Sequence, residues 1–177
     1  MTEQEAARTR LGRWVDGLLV VFALGLLVYL TYGRESGPSE QAKATSFDLP
    51  LLGSAGRFRF DGPRERPLLV EAFASWCGAC RRSAPTIDGL RDAVESGQLD
   101  ILLVSVDESA SAARSARRSW PIVLPVAFDE RGTFQRAYHI SVLPTFVLIG
   151  TDGRVLDVSS GPPGGHTIRK WLRAGDD

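Results

Sequence analysis

The chain has little cysteine, histidine and lysine. Its 177 residues include two cysteines and two histidines, and the only lysines are Lys43 and Lys170. Two cysteines are too few for the disulfide framework of a small secreted domain. Because 21 basic residues balance 21 acidic ones, the formal net charge is zero, and no nucleic-acid partner is indicated.

The two cysteines, Cys77 and Cys80, are separated by only two residues. An apolar run of strand length, residues 68–74, precedes them, and a helix-like segment begins at Arg81. A Cys-x-x-Cys pair at a strand-to-helix turn is typical of a redox-active dithiol. The unpaired N–H groups and partial positive charge of a helix N-terminus favour a thiolate. We therefore predict that Cys77 is the attacking thiolate and Cys80 the resolving thiol, both catalytic.

Three other kinds of cysteine site are less consistent with the sequence. A zinc site usually needs four ligands, and His139 and His166 lie far downstream without the spacing of a zinc knuckle. Covalent haem attachment requires histidine directly after the second cysteine, where Arg81 stands. A purely structural disulfide would close a very short loop, which stabilises a fold least. No metal site is predicted.

The N-terminal part of the chain predicts a membrane anchor. Residues 14–32 are nearly all apolar and have about the length of a membrane-spanning helix. Aromatic residues that suit a membrane interface lie near its ends, at Trp14, Tyr29 and Tyr32. Arginines precede the stretch at positions 8, 10 and 13. By the positive-inside rule, residues 1–13 are predicted to be cytoplasmic and residues 14–32 to be a transmembrane signal anchor.

A cleaved signal peptide is the alternative for this segment. The one site that resembles a cleavage signal, residues 42–44, lies about ten residues beyond the apolar run, farther than signal peptidase normally cuts. Either way the rest of the chain is predicted to lie outside the cytoplasm, on the periplasmic side of the inner membrane for a single-pass protein. Polar residues 33–45 lack periodicity and predict a flexible linker.

Residues 46–174 predict one folded domain. Apolar runs predict strands at 68–74, 101–106, 145–149 and 155–158, a short edge strand at 125–129 and a hairpin over 47–60. Helical patterns cover 78–96, with a kink at Pro85, and also 109–118, 132–139 and 168–173. This order predicts an α/β fold with a mixed central sheet flanked by helices.

The domain resembles the thioredoxin fold, and most of all the membrane-anchored TlpA-type thiol–disulfide oxidoreductases. The resemblance covers about residues 45–173. Four features carry it: the motif Trp76-Cys77-Gly78-Ala79-Cys80, Pro85 in the following helix, Leu143-Pro144-Thr145 before a strand, and the turn 151–154. It implies an extracytoplasmic reductase of partner-protein disulfides that takes electrons from a membrane donor. We expect no organic cofactor and a monomer.

The resemblance also implies a substrate-binding surface around the dithiol. An X-Pro bond is cis in only about 5% of cases, but a proline just before this strand in thioredoxins is cis and packs against the dithiol. Pro144 is therefore expected to be cis, with the backbone of Leu143 free to pair with an extended substrate. Thr145 completes this loop, and Trp76 is expected to cover the dithiol.

Glu71 lies in the middle of the predicted central strand, six positions before Cys77. A buried carboxyl group without a partner tends to keep its proton, although a partly exposed strand position would also accommodate it. Thioredoxins carry an aspartate here that is thought to move protons to and from the resolving cysteine. The resemblance thus predicts the same catalytic role for Glu71 towards Cys80.

Two departures from the family pattern leave the direction of the reaction open. Ala79 replaces a common proline, and Ser83 stands where relatives that reduce apocytochromes often carry glutamate. A role in cytochrome c maturation is therefore not indicated. The alternatives are an oxidase that donates its disulfide and a copper metallochaperone. Copper-carrying relatives space their cysteines by three residues and add a loop histidine, whereas here the spacing is two and His139 precedes the proline loop.

Overall fold

The structure is a computed structural model that describes residues 19–24, 41–120 and 122–174. The chain divides into two compact units, Met1–Ser36 and Gly37–Asp177.

In the first unit, residues 19–24 are helical. The predicted cytoplasmic segment 1–13 and most of the predicted anchor 14–32 lie outside the described residues. Within the described part of the chain, no helix has both the length and the apolar character that crossing a membrane requires.

The described part of the second unit contains seven strands and five helices. The strands are β1 (Phe47–Pro50), β2 (Arg57–Phe60), β3 (Leu68–Phe73), β4 (Asp100–Ser105), β5 (Val126–Phe128), β6 (Thr145–Ile149) and β7 (Val155–Ser160). The helices are α1 (Gly78–Asp88), α2 (Arg91–Glu95), α3 (Ala110–Ser119), α4 (Thr133–Ala137) and α5 (Gly165–Arg173).

Strand β3 is the centre of a five-stranded mixed sheet in the order β5-β4-β3-β6-β7. It runs parallel to β4 and antiparallel to β6. Strand β5 is parallel to β4, and β7 is antiparallel to β6. β1 and β2 form a separate antiparallel hairpin. The predicted thioredoxin-like fold, a mixed central sheet flanked by helices, is confirmed.

All six residues of β3 are buried, because both faces of the sheet are covered. Successive side chains of a strand point to opposite faces. Leu69 and Phe73 belong to one core, together with Ile87 of α1 and Trp171 of α5. Val70 and Ala72, on the opposite face of β3, join a second core with residues of α4 and of the β1–β2 hairpin. This double burial explains why β3 is an almost uninterrupted apolar run.

The predicted helix 78–96 is divided into α1 and α2. Helix α1 continues through Pro85 and ends at Gly89, whose N–H donates to the Pro85 carbonyl at 3.0 Å. The N–H of Leu90 then donates to the Ile87 carbonyl at 3.0 Å, a tighter i to i−3 bond that ends the regular helix. After α2, Gly97 has φ +79°, as a helix C-cap glycine does.

The described end of the predicted linker, residues 41–45, is bound to the folded unit. Backbone hydrogen bonds attach it to the β6–β7 hairpin, from Gln41 N–H to Val155 O (2.6 Å), Val155 N–H to Ala42 O (2.9 Å) and Ala44 N–H to Gly153 O (2.9 Å). The hydroxyl of Tyr138 also donates to the Thr45 carbonyl at 2.7 Å. The linker prediction of 33–45 therefore extends too far, because backbone pairing orders residues 41–45 without any apolar pattern.

Candidate functional site

The sulfur of Cys77 lies at the N-terminus of α1. Cys77 is the N-cap residue of this helix, with φ −79° and ψ 101°. Its Sγ accepts a hydrogen bond from the backbone N–H of Cys80 at 3.1 Å. An N-cap position with a donor aimed at the sulfur favours negative charge on that atom. The local structure is therefore the one that a thiolate nucleophile requires.

Cys77 and Cys80 form a disulfide, with an S–S distance of 2.09 Å and Cα atoms 5.3 Å apart. The structure therefore shows the oxidised state of the predicted cysteine pair. Cys77 is 6% exposed and Cys80 is fully buried. An incoming thiol consequently reaches the sulfur of Cys77 first, and Cys80 is the inner partner.

The predicted substrate-binding loop lies at the same end of the sheet as Cys77. The Leu143–Pro144 peptide bond is cis, as the resemblance implied. Thr145 pairs with Ala72 near the end of β3, so the loop is level with the strand end that leads to the disulfide. Gly161 N–H donates to the Pro144 carbonyl at 2.8 Å. The role of this loop in substrate binding stays a prediction.

Exposed apolar side chains lie on the segments beside the disulfide. Trp76 is 73% exposed and Val142 is 54% exposed, while Leu143 is half-buried. Trp76 directly precedes Cys77, and Val142 belongs to the cis-proline loop. Large apolar side chains that remain exposed are a common feature of protein-binding surfaces.

Glu71 is buried in the middle of β3 with 1% exposure, which excludes the partly exposed alternative. Its Oε1 accepts a hydrogen bond from Ser83 Oγ at 3.4 Å, and its Oε2 has no hydrogen-bond partner among the described residues. Burial raises the pKa of Glu71 from 4.5 to about 8, and the Ser83 hydrogen bond opposes this rise. About one Glu71 in ten is therefore ionised at pH 7.

A residue that the sequence reasoning missed, Asp107, holds the segment before the disulfide. Its two carboxylate oxygens accept the backbone N–H of Ser75 at 2.9 and 3.0 Å. They also accept the hydroxyls of Ser75 at 2.6 Å and Ser105 at 2.8 Å. Asp107 thus fixes the loop that presents Trp76 and Cys77. Because parallel strands end at one edge, an aspartate two residues after β4 was the available signal.

Neither histidine contributes to a metal site in the structure. His139 and His166 are exposed. Within residues 19–24, 41–120 and 122–174, no group of three or more histidine, cysteine, aspartate or glutamate side chains could hold a metal ion.

The mixed sheet, the disulfide at the start of α1 and the neighbouring cis-proline define a thioredoxin-fold protein with a redox-active cysteine pair. A family model described as Redoxin matches residues 40–170, and the chain belongs to the Redoxin family. The predicted membership of the thioredoxin superfamily is thereby confirmed.

Similar proteins carry names of the same class. The chain is 28% identical over 146 residues to thiol-disulfide oxidoreductase ResA of Bacillus subtilis (strain 168), covering 81% of this chain and 80% of that protein. It is 25% identical over 163 residues to ResA of Geobacillus thermodenitrificans (strain NG80-2), covering 92% and 93%. Together with the site, these relatives identify the chain as a thiol–disulfide oxidoreductase, as predicted.

Solved structures show the same fold. A protein from Chlorobium tepidum, described as a thiol:disulfide interchange protein DsbE, superposes with a TM-score of 0.68 at 25% identity, over 78% of this chain and 98% of that chain. StoA from Bacillus subtilis superposes with a TM-score of 0.62 at 18% identity, over 72% and 96%. The second likeness supports the fold alone.

Proposed function

We propose that this chain reduces disulfide bonds in partner proteins outside the cytoplasm, by reversible closure of the Cys77–Cys80 disulfide. The observation that carries the proposal is the position of this disulfide at the N-terminus of α1, with only Cys77 reaching the surface. The names of the similar proteins support the exchange chemistry. The direction of the exchange rests on the resemblance to TlpA-type proteins, and the compartment rests on the N-terminal sequence.

In the first step the Cys77 thiolate attacks one sulfur of the partner disulfide. A new bond forms between Cys77 Sγ and that sulfur, and the other partner sulfur leaves and takes up a proton. The N–H of Cys80, which points at Cys77 Sγ, and the N-terminus of α1 stabilise the attacking charge.

In the second step Cys80 attacks Cys77 Sγ and releases the second partner sulfur. The Cys80 thiol must lose its proton for this attack, and Glu71 is the proposed acceptor. The reverse reaction, opening of the disulfide by a donor thiol, needs a proton at the Cys80 sulfur. A carboxyl group with a pKa of about 8 can hold that proton at pH 7. Overall, two electrons and two protons pass from the dithiol to the partner.

The partner is proposed to bind as an extended segment across the end of the sheet. Trp76 and Val142 offer exposed apolar contacts, and the backbone of Leu143 is proposed to pair with the segment. Pro144 and Thr145 complete this surface beside the disulfide.

The proposed setting is the outer face of the cytoplasmic membrane. Residues 14–32 would anchor the chain with residues 1–13 inside, and a membrane protein would return electrons to the disulfide. The domain would act as a monomer without an organic cofactor. The anchor and its orientation are inferred from the apolar N-terminal run and its flanking arginines, whereas the electron donor, the monomer and the lack of an organic cofactor rest on the resemblance to TlpA-type proteins.

The redox potential of the full chain tests the direction. A reductase is expected to have a potential near that of thioredoxin, about −270 mV, whereas a value near about −120 mV would identify an oxidase. Binding of one copper ion per chain would instead favour the metallochaperone.

The Cys80→Ser variant tests the chemistry. Without the resolving thiol, mixed disulfides with partner proteins should accumulate at Cys77 and disappear on treatment with dithiothreitol. The Cys77→Ser variant is the control and should trap none. Equal trapping by both variants would overturn the assignment of Cys77 as the nucleophile.

A further inference from the structure

Ser83 lies on the inner face of α1, three residues after Cys80, and is 1% exposed. Its Oγ is 3.0 Å from the carbonyl oxygen of Cys80 and 3.4 Å from Oε1 of Glu71. A hydroxyl group carries a single hydrogen. Ser83 can therefore donate to the Cys80 carbonyl or to Glu71, but it cannot donate fully to both.

The protonation state of Glu71 decides between these two arrangements. When Glu71 is neutral, its own acid hydrogen can be donated to Ser83 Oγ, and the Ser83 hydrogen is free for the nearer Cys80 carbonyl. When Glu71 is ionised, its carboxylate is the stronger acceptor. The Ser83 hydrogen then turns to Oε1 of Glu71, because Oε2 has no partner among the described residues and the carboxylate therefore depends on Ser83.

Among the residues that the structure describes, none offers Glu71 an opposite charge that could replace the Ser83 hydrogen bond. On the flanking strands, Glu71 pairs with Leu103 and Phe146, both apolar. The buried titratable groups on α1, β7 and α5 are Cys77, Cys80 and Asp157. The other titratable or charged groups of these elements are exposed, except for the half-buried Asp88; they are Arg81, Arg82, Asp88, His166, Arg169, Lys170 and Arg173. The cysteines are joined in the disulfide, and Asp157 already accepts from Lys170 Nζ at 2.5 Å.

We propose that Ser83 is a positioning residue for Glu71, whose hydroxyl stabilises the buried carboxylate and thereby sets the pH range in which Glu71 exchanges a proton with Cys80. The inference rests on the proposed dithiol exchange. Loss of the Ser83 hydroxyl destabilises the ionised form of Glu71 more than the neutral form, because a buried charge without a hydrogen bond costs more free energy than a buried neutral group without one. The Ser83→Ala variant should therefore hold the Glu71 proton more tightly.

The direct test is a titration of the Glu71 carboxyl carbon in the oxidised full chain, labelled with ¹³C-glutamate. Glu71→Gln, which lacks the resonance, assigns it. A hydrogen bond to a charged group is strong enough to move a pKa by about one unit, so Ser83→Ala should raise the pKa of Glu71 by about one unit. Ser83→Thr keeps a hydroxyl and should restore the parent value.

Ser96→Ala is the matched control. Ser96 donates to the carbonyl three residues earlier, that of Ala93, at 3.2 Å, the same type of bond that Ser83 makes with Cys80. This variant should leave the Glu71 titration unchanged. An unchanged or lowered Glu71 pKa in Ser83→Ala, or an equal rise in Ser96→Ala, would overturn the proposal.

A kinetic experiment connects the titration to the reaction. The rate at which dithiothreitol opens the Cys77–Cys80 disulfide is measured against pH. Ser83→Ala should move the inflection of this rate profile that depends on Glu71 to higher pH, by the same number of pH units as the pKa in the titration. In a chain that already carries Glu71→Gln, Ser83→Ala should leave the pH profile unchanged. A displacement that persists in the double variant would contradict the proposal. The carboxyl titration needs no turnover. An unchanged Glu71 pKa would therefore overturn the Ser83 proposal without affecting the proposed exchange reaction, and absence of exchange activity would overturn the proposed function without affecting the titration.

Discussion

The Glu71→Gln substitution should remove a large pH-dependent loss of stability. In the unfolded chain Glu71 has its ordinary pKa of 4.5, whereas burial raises the pKa to about 8 in the folded chain. Between these two values the unfolded chain is ionised at this position while the folded chain remains mostly neutral. Rising pH therefore favours unfolding, and the contribution of Glu71 to stability is greatest below pH 4.5 and is lost as the pH approaches 8.

The expected magnitude follows from the difference between the two pKa values. Each unit corresponds to about 1.4 kcal/mol, so the loss reaches about 3 kcal/mol at pH 7 and about 5 kcal/mol above pH 8. A domain of this kind is stable by about 5–15 kcal/mol in total. Glutamine has nearly the same shape and no charge at any pH. The stability of Glu71→Gln relative to the parent should therefore grow by about 3 kcal/mol between pH 4.5 and pH 7.

Guanidinium chloride unfolding of the oxidised full chain measures this difference. The oxidised form is used because the cysteines of a disulfide do not titrate. Glu95→Gln is the control, since Glu95 is an exposed glutamate at the end of α2, and its stability should follow that of the parent at every pH. Parallel curves for Glu71→Gln and the parent from pH 4.5 to 8 would refute the raised pKa.

Three further substitutions test other contacts. Asp107→Ala leaves the part-buried donors of Ser75 and the buried hydroxyl of Ser105 without their acceptor, so the free energy of unfolding at pH 7 should fall by about 2 kcal/mol or more. A smaller loss would contradict the proposed role of Asp107 in holding the segment before the disulfide. Trp76→Ala should leave the free energy of unfolding unchanged. It should lower kcat/KM for protein disulfides but not for a small-molecule disulfide. Equal losses of kcat/KM for the two kinds of substrate would contradict a role of Trp76 in binding partner proteins. Tyr138→Phe removes the hydrogen bond from the Tyr138 hydroxyl to the Thr45 carbonyl and should lower the free energy of unfolding by about 1 kcal/mol. An unchanged free energy of unfolding would contradict this hydrogen bond.

Local sequence patterns specified the central elements of the fold well. Strand β6 coincides with the predicted run 145–149, because Pro144 and Gly150 bound an uninterrupted apolar segment. The position of Cys77 at a helix N-terminus followed from the change from an apolar run to a helical pattern. The central-strand position of Glu71 favoured burial but left a partly exposed alternative open, and the structure decides for burial.

Contacts between distant segments could not be predicted from the sequence. Asp107 binds Ser75 across 32 positions, and a local pattern contains no information about such a pair. Ser83 is a polar residue on a helix, and only the packing of α1 on β3 shows that it faces Glu71. Residues 41–45 join the fold through backbone groups that every non-proline residue carries, so their composition could not distinguish them from a linker.

The described residues include four buried carboxyl groups, and Glu71 differs from the other three in its hydrogen bonding. Asp107 accepts four hydrogen bonds. Asp129 accepts from the Thr133 hydroxyl and the Gln135 backbone N–H, and Asp157 accepts from Lys170 and Trp171. Each of these three is satisfied and attaches one element to another. Glu71 alone has a single long hydrogen bond and an unpaired oxygen.

The buried carboxyl group of Glu71 lowers the free energy of unfolding at neutral pH, and an apolar residue at this position of β3 would avoid that loss. Buried ion pairs also perturb pKa values for structural reasons, but within residues 19–24, 41–120 and 122–174 Glu71 has no ionic partner to which such an explanation could apply. The shift comes from burial alone, beneath the helix that carries the disulfide. The proposed proton exchange with Cys80 would account for a destabilising acid at this position.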